Sequence, residues 1–414
     1  MSVATPAWLS LDDARERALA ATPVLTGTET VLLAEALNRI TACAIQAPVN
    51  VPPWDNSAMD GYALRAEDAD LNTCIPVSMT VFAGDSQIQE LARGTAARIM
   101  TGAPLPAGAD TVVMQENVQR NGDDIVITEP PRQFANIRRK GNDITHGDTV
   151  ISAGTRLNAA HLMLLASQGL DTVTVYRPLR VGLMVTGDEL QTPGTPLQPG
   201  HIYESNRTGL KALLAPLAVS VTDYGIVPDD KAALINVMRR ACGEVDMLIS
   251  SGGVSVGDAD YVKEVLESLG DVNFWKVAVK PGKPFAFGMM DNTCFCGVPG
   301  NPVSAYVTTQ LLVRPVIERY QGLAAPTQPL ALSATLTTAV QRRAGRTEFQ
   351  RAVMHPTQGG WQVTPLPRQS SGVMSSVTQA NCYLVVPAEV STLDAGSPAT
   401  VLPFDTRLTP EGVL

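Results

Sequence analysis

The residues of this chain best suited to hold an anion are two adjacent glycines set among hydroxyls, in Ser250-Ser251-Gly252-Gly253-Val254-Ser255-Val256-Gly257-Asp258. Lacking side chains, such glycines let backbone amides approach phosphate oxygens, and the serines add donors. The segment lacks the Gly-Lys-Ser/Thr ending of a P-loop and the glycine spacing of a Rossmann fingerprint. A second segment puts Lys276, Lys280 and Lys283 on a strand and a proline-stiffened turn of an otherwise acidic protein. Lysine is a compact point charge suited to phosphate or oxyanion stabilisation. The apolar flanks 277–279 and 285–287 argue against ordinary surface lysines.

Two further loops complete the set. In Gly297-Val298-Pro299-Gly300-Asn301-Pro302-Val303-Ser304, Asn301 is a good helix N-cap and Pro302 a good first helical residue. The same geometry leaves free amides at a helix N-terminus, so capping and anion binding are compatible. In Thr186-Gly187-Asp188-Glu189-Leu190, two adjacent acids can bind a divalent metal or accept hydrogen bonds, and a cap or solvated turn explains them equally well.

These loops follow elements of one region. Between about 179 and 325, apolar strand-like runs at 181–185, 219–224, 247–249, 274–279 and 295–298 alternate with helical patterns near 206–217, 230–241, 260–269 and 302–320. That alternation predicts a mostly parallel, doubly wound α/β sheet with helices on both faces. Ligands of such sheets bind beyond the carboxyl ends of the strands, where these loops lie. Before it, residues 1–178 read as mixed, with helices at about 10–19, 30–37 and 158–167 and short strands such as 111–115 and 124–128. Beyond it, 326–414 has no helical period, and alternations at 330–334 and 383–386 suggest a small β domain. Asp55, Asp60, Thr101 and Asp143 fall in Gly/Pro-rich turns of the first region, where a carboxylate is ordinarily a turn residue.

Composition narrows the function. The 414 residues are 45% hydrophobic and 17% charged, as in a folded multidomain protein, and the net charge is −9. No basic stripe suits a nucleic acid; the run Arg138-Arg139-Lys140 is short and reads as a solvated loop. Six scattered cysteines and four histidines show no zinc or redox spacing, for Cys294 and Cys296 have a single residue between them. No signal peptide or membrane-spanning apolar run is visible, so a cytoplasmic protein is expected.

Taken in order, several segments resemble the MoeA family, the molybdopterin molybdenumtransferases, seen also as the C-terminal part of gephyrin-like proteins. They are Asp55-Asn56-Ser57-Ala58-Met59-Asp60-Gly61-Tyr62-Ala63, Ile99-Met100-Thr101-Gly102-Ala103-Pro104, the 186–190 loop, the 251–257 loop, Lys280-Pro281-Gly282-Lys283-Pro284 and the 299–304 loop. Each motif is weak alone, but the set runs over nearly the whole chain. The resemblance implies insertion of molybdate into adenylated molybdopterin with release of AMP, aided by a divalent metal such as Mg²⁺, in a homodimer. It implies an N-terminal region split into a helical part (1–47 and 146–178) and an inserted β-rich part (48–145), then an α/β molybdopterin-binding domain (179–325) and a C-terminal β-barrel-like domain (326–414).

Carried over residue by residue, the catalytic positions are Asp60, Thr101, Asp143, Glu189, Asp229, Asp260, Lys276 and Lys280; Glu189 and Asp260 could hold the divalent metal, since Mg²⁺ prefers a few carboxylates plus phosphate oxygens. Substrate would bind Ser251, Gly252, Gly253, Ser255, Lys283, Pro299, Gly300, Asn301, Pro302 and Ser371. Asp60, Thr101 and Asp143 lie outside the α/β region, so they are expected to face its site across a domain or subunit boundary. One departure stands out: the family usually reads Gly-Glu-Asp before Ile, whereas this chain has Gly141-Asn142-Asp143-Ile144. Asn142 removes a negative charge beside Asp143, and no metal role is carried over to it. Transient contact with the molybdopterin adenylyltransferase and with cofactor-accepting enzymes is a further expectation. The adenylyltransferase reaction itself is the nearest rival, since it shares the α/β domain, but it belongs to a small single-domain relative. A non-enzymatic scaffold is the other, and it would not need the acids of the first region.

Overall fold

The computed structural model describes residues 8–254 and 261–405, without the side chain of Phe274. Contacts divide the chain into two compact units, Met1–Glu29 with Asn38–Ile40 and Val175–Leu414, and Thr30–Leu37 with Thr41–Thr174.

The smaller unit is built on a six-stranded sheet in the order Thr111–Met114, Gly61–Leu64, Ala96–Ile99, Cys74–Val81, Asp124–Ile127 and Val118–Asn121. Successive side chains of a strand point to opposite faces. Accordingly Tyr62 and Leu64 enter one apolar cluster with Ile75 and Ile125, while Ala63 enters another with Val81 and Ile99. Both faces are covered, so Gly61–Leu64 is buried throughout. The helix expected over 30–37 is absent: a strand, Thr28–Leu32, runs into a single 3-10 turn, Leu33–Glu35. Thr28, Thr30 and Val31 are β-branched and lose side-chain freedom in a helix. The Leu33 N–H donates to the Asp171 carbonyl instead.

The larger unit carries the α/β sheet. Its order is Val219–Val227, Leu179–Thr186, Met247–Ser251, Thr293–Val298, Pro284–Met290 and Gly270–Lys276. The first four strands are parallel, and Pro284–Met290 runs antiparallel to both its neighbours, Thr293–Val298 and Gly270–Lys276. Two-sided burial explains the unbroken apolar runs. Leu183, Ile249 and Cys296 face one cluster with Leu210, Leu214, Val303 and Ile317 from helices; Met184, Leu248 and Phe295 face the other with Leu234, Met238, Val262 and Leu266. The helix Leu11–Ala21, capped by Ser10, buries Ala14 and Ala18 in the first of these clusters. The first helix of the chain therefore packs on the α/β core.

The segment read as one strand over 274–279 is divided. Its strand ends at Lys276, and Leu9 bridges the next residues through Leu9 N–H to Lys276 O and Ala278 N–H to Leu9 O. Val279–Lys280 then pairs with Thr347 and Glu348 of the C-terminal sheet. That sheet closes: Thr347–Thr357, Gly360–Pro365, Leu332–Leu336, Pro398–Pro403 and Cys382–Val386 follow in order, and the last returns to the first, Glu348 opposite Val386. A small barrel results, filled by Leu336, Met354, Val363, Leu384 and Val401. The helix expected over 302–320 contains a π turn, Thr309–Val313, just before Pro315. Proline lacks an N–H and its ring clashes with the carbonyl four residues earlier, which favours a widened turn there.

Candidate active site

A cleft of about 840 Å³ opens where the parallel strands end. The loop after Leu179–Thr186 supplies Gly187 and Glu189, and the loop after Met247–Ser251 supplies Gly252, Gly253 and Val254. The turn after Val279–Lys280 contributes Lys280, Gly282 and Lys283. The start of the helix Pro302–Thr308 contributes Pro299, Gly300, Asn301 and Ser304. The barrel adds Arg346, Gln369, Ser370 and Ser371. Strand pairing between Lys280 and Glu348 is what brings barrel residues to an α/β loop.

The glycine loop has little room to vary. Gly252 has φ of +98°, and a Cβ there would lie 2.6 Å from the Thr186 carbonyl oxygen; at Gly253, with φ of +65°, it would lie 2.2 Å from Val262. The Gly252 N–H donates to Val298 O at 3.1 Å. Ser251 is buried rather than in the cleft wall: its hydroxyl donates to Pro299 O at 3.1 Å and accepts from Asn206 Nδ2 at 2.9 Å. Asn206 also donates to Gly300 O at 2.6 Å, so one amide joins the glycine loop to the Pro-Gly-Asn-Pro loop. Asn301 occupies the N-cap position, yet its side chain makes no capping bond and lines the cleft. The Val303 N–H is taken by the Ser371 carbonyl at 3.2 Å, which fixes the barrel loop against the helix start.

Charge in the cleft is divided between acids and bases. Burial pushes the Asp229 carboxyl up; a Thr186 hydrogen bond opposes that, and the nearby Asp188 and Glu189 carboxylates add to it. Negative charge gathered here suits a hard cation, since Mg²⁺ takes one or two carboxylates and completes its shell with phosphate oxygens and water. Among the described residues no group of three acids, histidines or cysteines closes a metal cage. Lys280, Lys283 and Arg346 supply the positive charge. Lys280 Nζ donates to Glu348 Oε1 at 3.0 Å, and Lys283 and Arg346 lie 5.2 and 6.0 Å from the Trp8 ring. Tyr261 is the one aromatic residue lining the cleft among the described residues, and it is 44% exposed.

Of the residues expected from sequence, Glu189, Asp229, Gly252, Gly253, Lys280, Lys283, Pro299, Gly300, Asn301 and Ser371 line this cleft together. Lys276 does not: it ends its strand opposite Pro284, with its carbonyl held by Leu9. Pro302 begins the helix and lines a separate recess with Asn206 and Tyr306. Ser255 and Asp260 lie outside the described residues. In the smaller unit, Asp60 and Thr101 are joined directly, Asp60 Oδ1 accepting from the Thr101 N–H at 2.7 Å and from its hydroxyl at 2.9 Å. Those bonds, the backbone one first, hold the Asp60 carboxyl below its ordinary value. Asp143 is exposed on another turn, its N–H donating to Val51 O. Arg346, Ser370, Tyr261, Asn206 and Glu348 were not anticipated, because no local pattern marks them.

Fold and cleft together define a multidomain α/β protein whose cleft sets lysines and an arginine beside acids. Comparison with known proteins makes that class specific. Residues 9–169 match the MoeA N-terminal region (domain I and II), 182–319 a probable molybdopterin binding domain, and 333–404 the MoeA C-terminal region (domain IV). A molybdopterin molybdenumtransferase of Haemophilus influenzae is 45% identical over 96% of this chain and 99% of its own, and one from Nostoc sp. is 37% identical over 91% and 88%. The crystal structure of a molybdopterin biosynthesis moeA protein from Pyrococcus horikoshii superposes with a TM-score of 0.84 at 27% identity, covering 96% of this chain and 100% of the other. The chain belongs to the MoeA family of molybdopterin molybdenumtransferases.

Proposed function

We propose that this protein inserts molybdate into adenylated molybdopterin and releases AMP, completing molybdenum cofactor biosynthesis. The observation that carries the reading is the joining, in one cleft, of the glycine loop, three cations and two acids. A pyrophosphate needs the first two, and the cleft is large enough for a pterin and a nucleotide. The Gly253 amide, in a loop that the Gly252 N–H anchors to Val298 O, acts with Lys280 and Lys283 to neutralise the phosphates and the charge that grows on the departing adenylate. Glu189 and Asp260 are the proposed Mg²⁺ ligands, with Asp229 adding negative charge beside Glu189. Bound there, Mg²⁺ would supply a hard positive charge to phosphate oxygens. Molybdate is placed near Lys280 and Ser371, with Arg346 as a third donor from the barrel. No side chain is required as a covalent nucleophile. Asp60, Thr101, Asp143 and Lys276 are retained as residues needed for turnover, and Ser255 and Pro302 as substrate contacts.

The same proposal includes a cytoplasmic homodimer that works on small-molecule substrates, with transient contacts to the adenylyltransferase and to cofactor-accepting enzymes. No described helix is long and apolar enough to cross a membrane. The division at 178/179 and 325/326 is proposed as that of its functional domains. Incubation of purified protein with adenylated molybdopterin, Mg²⁺ and molybdate tests the reading. AMP release triggered by molybdate supports it. AMP transfer from ATP to molybdopterin, or binding without turnover, would replace it with the adenylyltransferase or scaffold alternative.

A further inference from the structure

Glu348 stands behind the cleft's lysine and is 5% exposed. It lies on the strand Thr347–Thr357, opposite Lys280 in the pairing register. Its Oε1 accepts from Lys280 Nζ at 3.0 Å and lies 4.0 Å from Arg342 Nη1, while Oε2 accepts from Gln350 Nε2 at 2.9 Å. The Arg342 side chain is buried and donates to the carbonyl of Arg346, a residue of the cleft wall. The Lys280 side chain is 44% exposed and lines the cleft.

A buried carboxylate is costly unless it is paired and hydrogen-bonded, so Glu348 favours the lysine rotamers that reach it. A free lysine would lose rotamer entropy on capturing an anion. Fixing it beforehand removes that loss from binding. The contact does not cancel the cleft's charge, because Arg342 also faces the carboxylate and two cations against one anion leave one positive charge.

We infer that Glu348 is a positioning residue: it holds the Lys280 ammonium where an oxyanion substrate binds, while Arg342 keeps the trio net positive. The inference rests on the transferase reading for the identity of the oxyanion. The full-length wild type, E348Q, K280M and K280M/E348Q are compared by molybdate-dependent AMP release and by calorimetric titration with inorganic molybdate. E348Q is expected to weaken molybdate binding and slow AMP release by about tenfold, the cost of a misplaced group. In the K280M background the same change is expected to cost less than about twofold, since two residues acting through one contact are not additive. Losses that multiply would show that Glu348 acts elsewhere, and tighter molybdate binding by E348Q would show that it opposes the anion; either overturns the inference. If E348Q does not fold, E348D, which keeps the charge but draws it back, takes its place in the same cycle with the same expectation. A wild type that binds molybdate but releases no AMP overturns the transferase reading, and the titration then decides the role of Glu348 alone. A wild type that binds no molybdate overturns this inference too.

Discussion

Asp60 and Thr101 are joined by two hydrogen bonds to a single carboxylate oxygen, from the Thr101 N–H and from its hydroxyl. The residues flank paired strands, Gly61 lying opposite Ile99, so the sheet itself brings the two turns together. Thr101→Val removes one of the two bonds. The Asp60 carboxyl then titrates higher, closer to its ordinary value, which carboxyl chemical shifts followed against pH will show. Asp60→Ala is expected to cut molybdate-dependent AMP release by at least about tenfold, as loss of a positioning group does. Unchanged release would remove Asp60 from the functional set.

Gly252→Ala tests the anion-binding loop. The new Cβ would meet the Thr186 carbonyl in a left-handed conformation, so the loop must shift. Binding of adenylated molybdopterin is expected to weaken about tenfold or more, about 1.4 kcal/mol, consistent with one or two lost charge-assisted bonds. Titration calorimetry reads this directly, and wild-type affinity in the variant would exclude the loop from the phosphate site.

Arg346→Gln separates the two substrates. The guanidinium belongs to the barrel side of the cleft, next to the proposed molybdate position. The KM for molybdate should rise by about tenfold, the worth of one charge-assisted hydrogen bond, while the KM for adenylated molybdopterin changes little. An equal rise in both constants would move molybdate away from Arg346.

Asp246 is not among the residues that line the cleft, and its prediction concerns stability. It is 7% exposed and accepts bonds from Arg177 at 2.6 and 2.8 Å and from Arg180, including its backbone N–H at 2.9 Å. Burial would raise this carboxyl, but the Arg177 and Arg180 bonds outweigh it and hold the group well below the usual carboxylate range. A depressed folded-state pKa contributes stability that is fully present above the unfolded value near 4 and lost as pH falls toward the folded one. Asp246→Asn should therefore cost about 2 kcal/mol at neutral pH in urea unfolding, and less as the solution is acidified below pH 4. A pH-independent difference would mean that the charge is not what matters there.

Much of the fold was legible because it is written locally. Apolar runs at 181–185, 247–249 and 295–298 mark strands buried on both faces, and glycines and acids mark the loops at their carboxyl ends. Less was legible wherever pairing over long sequence distances decides the outcome. Lys276 and Lys280 look equivalent in sequence, yet Leu9 claims the backbone beside one and the barrel strand claims the other. That barrel strand and the turn before it bring Arg346 to the cleft and Glu348 behind Lys280. Asp60 and Thr101 read as turn residues until the strands between them are paired. At 30–37 the helical reading fails because β-branched side chains favour an extended backbone.

The most direct test is a single turnover: wild-type protein loaded with adenylated molybdopterin and Mg²⁺, to which molybdate is added while AMP is followed. Release of one AMP per bound substrate, dependent on molybdate and abolished when EDTA removes the divalent cation, is the predicted result. AMP that appears at the same rate without molybdate, or never appears, would contradict the assignment.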